Sequence, residues 1–430
     1  MLKKNNIFKK ILLIAIALTL LYSFLGDYPT SIGLDKLAYI TAIGVDVGDI
    51  ENYKISFQLS SVHSSSFDSS EQSSSSGGNS SSSSGGSESS SPTFVVNTIE
   101  CDSIDNGISL MNTYIDKAVD LSHCKILLVS EELAKAGVSS ILNSMINKLE
   151  IRPDCNIIVS RIPDDEFSND SKPTIQDILS EFYNITTSTE NVSGYTENVS
   201  LNNFYSALQD YSKEPFCALG TVRNSKKQTA SSTDSSLSLD KAAKSVTSTN
   251  NKPIVEILGL GVFKGDKLVG SLSGTETICN LILSNKLNSS TFSIPSPFDN
   301  NRMLDLSILL NDNSKIKVDI TNGSPFVTTN ISVKAKILSL NNPNSEITKE
   351  TVKQIETSTE QYLGEAIYNY LYKTSKEFSS DISGIGKYAL KNFSTIQEWN
   401  NYDWLSNYSN CTFKVNVDAT MISGYILTNE

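Results

Sequence analysis

Between Thr348 and Phe378 the chain repeats apolar side chains at three- and four-residue steps: Val352, Ile355, Tyr362, Ala366, Ile367 and Tyr370. An α-helix puts that spacing on one face, so one side of a long helix must rest on other structure. Thr348 is placed to cap its first turn, and Lys349, Glu350, Lys353, Glu356 and Glu360 fall on the wetted surface. The helix stops in Phe378-Ser-Ser-Asp-Ile-Ser-Gly-Ile-Gly386, where Gly384 and Gly386 break any regular run. Trp399 and Trp404 follow in a polar-aromatic segment. Then Phe413, Val415, Val417 and Ala419 alternate with polar neighbours, the pattern of a half-buried strand. Residues 341–430 therefore read as an α+β unit: long helix, glycine corner, two indoles and a closing strand.

A chain of 430 residues exceeds one ordinary core, so several domains with mixed sheets and packed helices are expected. Residues 27–220 read as an N-terminal α+β domain. Leu37–Val47 and Tyr53–Leu59 are strands about a Gly48-Asp49 turn, with Tyr53, Ile55, Phe57 and Leu59 on one face. Ser103 is placed to cap a helix through Ile104, Ile108, Met111, Ile115 and Val119. Strands at Lys125–Val129 and Cys155–Val159, separated by helical segments across Glu131–Leu149, form a crossover unit with parallel strands. Ser130 reads as the N-cap of the first of those segments, and shorter helices are expected near Ile175–Tyr183 and Asn202–Leu208. Ser60–Pro92 holds no lysine or arginine and too few apolar groups to offset ordering entropy, so it reads as a flexible insert. Residues 221–252 read as a low-complexity linker. A middle β-rich domain follows at 253–340, with a hairpin turning at Gly265-Asp266 and strands Ser314–Ile320 and Phe326–Leu338 joined through Asn322–Pro325.

Charge and residue chemistry exclude several functions. A net charge of −12 and a pI near 4.8 argue against nucleic acid and against peripheral binding to anionic lipid. The six cysteines are scattered without a C-x-x-C. Cys124 and Cys155 are expected as buried thiols, and the even count permits disulfides without selecting a pairing. Of the two histidines, His63 opens the serine tract and His123 stands beside Cys124, so neither forms a catalytic set. Gly259, Gly261 and Gly265 miss the spacing of a dinucleotide loop, and a strand follows them. No catalytic, cofactor or metal residue is assigned; paired carboxylates of the glycosidase kind are the one catalytic arrangement the composition permits.

The N-terminus decides the compartment. Lys3, Lys4, Lys9 and Lys10 precede an apolar stretch, Ile11–Leu25. As a helix it covers roughly 22 Å against the ~30 Å hydrocarbon core, and it spans if the lysines snorkel and Phe8 is included. The pattern also fits an export signal, but Gly26-Asp-Tyr-Pro offers no small-x-small cleavage site. Residues 1–26 are therefore expected to be an uncleaved anchor helix, with the lysines cytoplasmic and the remainder outside.

Asp381, Ile382, Gly384, Gly386, Trp399, Trp404 and Gly424, in that order, resemble the C-terminal signature of the Ger(x)C family, the C subunits of nutrient germinant receptors in endospore-forming bacteria. Ile43–Asp46, residues 122–137 with 152–161, and residues 260–270 with 276–283 resemble earlier parts of that family. Ser383 stands where the family more often has a bulkier residue. The resemblance implies three α+β domains and a non-catalytic protein without cofactors on the outer face of the spore inner membrane. It implies A- and B-type multi-pass subunits as partners. It makes Asp381, Gly384, Gly386, Trp399, Trp404 and Gly424 structural positions, with docking expected on exposed apolar surface around the two tryptophans. One departure stands out: no cysteine precedes Cys101, so the family's lipid-modified N-terminus is absent and the apolar helix must do the tethering. The rival readings are an anchored or secreted solute-binding protein and a cortex hydrolase.

Overall fold

The computed structural model describes residues 12–19, 33, 36–60, 94–163, 167–168, 183, 193–223, 254–339 and 348–422. The serine tract after Ser60, most of the linker, most of the Ile175–Tyr183 segment and Gly424 lie outside the described residues.

Nine strands make the first sheet: β1 (Leu37–Val47), β2 (Tyr53–Ser60), β3 (Phe94–Cys101), β4 (Ala118–Asp120), β5 (Ile126–Ser130), β6 (Asn156–Ser160), β7 (Phe216–Arg223), β8 (Ile254–Lys264) and β9 (Lys267–Leu272). Their order is β3-β2-β1-β5-β6-β7-β8-β9, with β4 also on β1. The centre, β1-β5-β6-β7, is parallel, and antiparallel pairs flank it. Parallel strands are covered on both faces, which is why β5 (ILLVS) and β6 (NIIVS) are buried at every position. The crossover between them runs through α2 (Glu131–Ala136), following α1 (Ile104–Met111), and then α3 (Ser139–Ile146). Ser103 and Ser130 cap α1 and α2, accepting from the Asn106 and Leu133 amides. α1 stops short of Ile115 and Val119. Val119 pairs with Ala38 in β4, and its amide donates to Asn112 Oδ1, so the strand takes residues whose spacing suggested helix. α4 (Leu201–Leu208) lies before β7.

The second sheet holds β10 (Ser290–Ser296), β11 (Asp299–Leu310), β12 (Lys315–Thr321), β13 (Ser324–Ser339) and β14 (Thr412–Met421). β13 is the spine. Its first half pairs with β12 and its second half with β11, while β14 runs parallel along its other edge. Asn322 and Gly323, at φ of 52° and 81°, form the β12–β13 turn, as a hairpin of this twist requires. α5 (Gly274–Leu283) follows β9, its N-cap Ser273 and Glu276 forming a reciprocal capping box. The long helix α6 (Lys349–Tyr372), capped by Thr348 and prolonged by a π-turn over Lys373–Glu377, lies on the second sheet. It buries Ile355, Leu363, Ala366, Ile367 and Tyr370. Glu356 and Glu360 are not merely wetted: each accepts from a β14 amide, those of Met421 and Ala419. α7 (Gly386–Ala389), α8 (Ile396–Tyr402) and α9 (Trp404–Asn407) lead into β14.

The hairpin β8–β9 turns at Gly265-Asp266 and hydrogen-bonds to β7, so it closes the first sheet rather than opening the second. Its two faces serve different cores. Phe263 and Leu268 join the first; Leu260, Val262 and Leu272 join the second, with α5, α6 and the C-terminal helices. Among the described residues no helix is long and apolar enough to cross a membrane; of the Ile11–Leu25 stretch residues 12–19 are described, and they are helical.

Candidate functional site

The residues singled out near the C-terminus meet where the two sheets join. After the π-turn, Ser379 takes a left-handed φ of 51° and the chain folds back on itself. Ser380 Oγ then donates to the Phe263 carbonyl at 2.6 Å, fixing the corner to β8. Asp381, at 0% exposure, follows with every bond directed inward. Its Oδ1 accepts from the Ile385 amide (3.0 Å), and its Oδ2 accepts from the Gly386 amide (2.8 Å) and from Trp404 Nε1 (2.8 Å). Its carbonyl accepts from the Glu214 amide at 2.9 Å, and Glu214 Oε2 accepts from the Gly265 amide at 2.8 Å. One aspartate thus ties the glycine corner, the second indole and the segment before β7 together.

Burial pushes the Asp381 carboxyl up to about 6 despite four N–H donors that favour the anion. Glu214 is raised as well, burial first, with the Gly265 amide pulling the other way. A short distance away a second polar chain crosses the joint. Tyr370 Oη and Ser383 Oγ both donate to Asn280 Oδ1 (2.9 and 3.0 Å) and lie 2.7 Å from each other. Asn280 Nδ2 donates to Glu197 Oε2 (2.8 Å), whose other oxygen pairs with Lys286 at 2.6 Å. Lys373 closes the outer side on Glu276 at 2.9 Å. Burial holds the Tyr370 hydroxyl well above its usual range. Ser383 fills with a hydroxyl the position where a bulkier side chain was expected from the resemblance, and it joins this network.

Gly384 and Gly386 do different work. Gly384 has a φ of +68°, and nothing crowds the place of a Cβ; the nearest atom is Lys213 Cβ at 3.8 Å. Gly386 has no such φ, but a Cβ there would lie 2.6 Å from Cδ1 and Nε1 of Trp404 and nearer still to the Ser212 carbonyl. Trp399 and Trp404 are 5% and 1% exposed and stack at 6.2 Å, flanked by Phe393 and Tyr408. The expected exposure of these indoles is corrected: they are interior, because Trp404 Nε1 is bound to a buried carboxylate and both rings are covered.

Among the described residues Asp381 is fully buried at the joint. Both Asp381 oxygens are engaged, and the surrounding glycines bring backbone, not solvent, against them. His123 sits edge-on to Tyr39, with Nδ1 3.0 Å from Ser122 Oγ, while that hydroxyl donates to Asp120. The carboxylate holds the serine rather than the imidazole, the reverse of a nucleophilic triad. His63 lies outside the described residues. On the second sheet a depression of about 220 Å³, lined by Asp312, Lys315, Asn330, Ser332, Asn416 and Asp418, is smaller than the roughly 300–1,000 Å³ of ordinary ligand pockets.

Glu214, Glu197 and Asn280 were not marked by the sequence, since their partners lie far along the chain. Glu276 alone carried a local signal, the S-x-x-E of a capping box.

A family model described as the spore germination protein N-terminal domain matches residues 31–222, and one described as spore germination B3/GerAC like, C-terminal, matches residues 258–424. The chain is similar in fold to the crystal structure of the GerBC protein. The TM-score is 0.50 at 16% identity, over 89% of this chain and 97% of that one. No curated protein matches.

Proposed function

Because the chain belongs to the Ger(x)C family of spore germination proteins, we propose that it is the non-catalytic C subunit of a nutrient germinant receptor. In this reading it stands on the outer face of the spore inner membrane, held by its apolar N-terminal segment in place of a lipid-modified cysteine. It works beside A- and B-type membrane subunits. It makes no covalent change in the germinant; it offers those partners a rigid surface and stabilises or relays their change of state.

The observation that carries the reading is the joint at Asp381. Asp381, Gly386 and Trp404 of the signature bond to one another in the interior between the two sheets, and both Asp381 oxygens are engaged there, which supports a structural role for them. A body braced in this way suits scaffolding within an assembly, where a fixed outline matters more than a cleft. The indoles act from inside, by keeping that outline, and the contact surface lies elsewhere.

Affinity capture of the tagged chain from detergent-solubilised spore membranes tests this. Co-purification of A- and B-type subunits, with loss of nutrient-triggered germination in the deletion strain, is the expected result. Heat evolved on adding amino acids to the isolated protein would favour a solute-binding protein, and release of muropeptides from purified cortex a hydrolase. Either result would overturn the proposal.

A further inference from the structure

Cys124 and Cys155 sit at the entrances of the adjacent parallel strands β5 and β6, just before Ile126 and Asn156. Their sulfurs are 3.9 Å apart, and both side chains are at 0% exposure within the first core. The other four thiols are buried too, and among the described residues no second pair of sulfurs is in contact. The backbone at both positions is held. The Cys124 amide donates to Leu121 and the Cys155 amide to Arg152, each at 3.0 Å, and the Asn156 amide reaches the Lys125 carbonyl at 2.8 Å. The held backbone keeps the two sulfurs in contact, so a disulfide of ~2.05 Å would form between thiols that are already neighbours.

We propose that Cys124 and Cys155 form an intrachain disulfide when the chain folds in the presence of a disulfide donor, either a small-molecule disulfide or a disulfide-carrying oxidoreductase. One cysteine thiolate attacks the donor and releases the first donor thiol. The second then attacks the protein sulfur of the mixed disulfide and releases the other. Two S–H bonds and the donor's S–S bond are lost; the protein S–S bond and two donor thiols are formed, with no net proton or electron left over. The new bond closes the loop carrying α2 and α3 against the sheet. It forms during folding rather than afterwards: the hydrogen bond with Cys124, and then burial, hold the Cys155 thiol well above its ordinary range, so the finished core contains little reactive thiolate. This inference goes beyond the receptor reading and does not rest on it.

The test uses the full chain, reduced and unfolded, then refolded in oxidised and reduced glutathione. Free thiols are capped by alkylation, and the digest is read by mass spectrometry. The expected product is one linked peptide pair, Cys124 with Cys155, the other four cysteines being alkylated once the protein is unfolded. Its urea midpoint lies above that of protein refolded with reduced glutathione alone, and Cys155→Ala abolishes the difference. Chain exported into an oxidising compartment and trapped directly gives the same readout without refolding. Folded protein from either route with both cysteines alkylated, or linked to different partners, overturns the proposal.

Discussion

Replacing Gly386 by alanine adds one methyl group at the tightest point of the joint. That methyl would lie 2.6 Å from two atoms of the Trp404 indole and nearer to the Ser212 carbonyl, so one of them must give way. Neither is free to do so. Trp404 is held by its 2.8 Å bond to Asp381 and by the stack on Trp399, and the 212–214 segment is held by the Glu214 amide on Asp381 and by Glu214 on Gly265. Overpacking costs ~1–3 kcal/mol, and losing one hydrogen bond to a buried charged group costs a further ~1.5–3 kcal/mol. A sum of about 2.5–6 kcal/mol is a large share of the ~5–15 kcal/mol that stabilises a typical domain. Gly384→Ala supplies the control. Its penalty is the left-handed backbone alone, about 1–2 kcal/mol, since no neighbour crowds it. Both of the chain's tryptophans stand at this joint, so their fluorescence in a urea titration reports on it directly. A Gly386→Ala midpoint at or above that of Gly384→Ala would refute the claim that the glycine is there for close approach.

Asp381 gives a pH signature. Its folded-state value of about 6 lies above the 3.8 of the free side chain, so its contribution is greatest below pH 4 and is lost as the pH rises through 6. That difference is worth about 3 kcal/mol over the whole titration; between pH 4 and 7 the wild type should lose roughly 2–2.5 kcal/mol of urea stability relative to Asp381→Asn, and parallel curves would show that the carboxylate is not strained by burial. Tyr370→Phe strips the hydroxyl shared with Asn280 and Ser383 and should cost about 1–3 kcal/mol, measured by the same titration; a neutral result would mean that the network re-pairs without it. Glu276→Ala removes the capping box of α5 and the Lys373 partner together, with an expected loss of ~1–2 kcal/mol. Trp399→Ala combined with Trp404→Ala should lower the amount of folded protein in spores before any partner is lost, seen as reduced abundance on immunoblots; normal abundance with failed co-purification would return the indoles to a docking role.

What could be read from the sequence was local. The α6 stripe, the Thr348, Ser103 and Ser130 caps, the Gly265-Asp266 and Asn322-Gly323 turns and the buried runs of β5 and β6 each depend on neighbours a few residues away. Apart from the parallel β5–β6 crossover, which its strand–helix–strand pattern announced, long-range pairing was hidden from the sequence or misread in it. Ile115 and Val119 kept a helical spacing, yet Val119 pairs with β1. The exposure of Trp399 and Trp404 could not be inferred from polar neighbours, because Asp381 and Phe393, which enclose them, approach through the fold. For the same reason Glu214, held by Asp381 and Gly265, looked like any surface acid.

The β8–β9 hairpin sets a practical rule for anyone dissecting this molecule. A fragment ending at 222 would strip the outer partner from β7 and leave a bare strand edge, an invitation to aggregate. A fragment beginning at 258 would start partway along β8 and carry away Phe263 and Leu268, which plug the core left behind. The two spans matched by the family models are thus bookmarks along the polypeptide rather than pieces that can be cut apart, and lesions in either half should be felt in both.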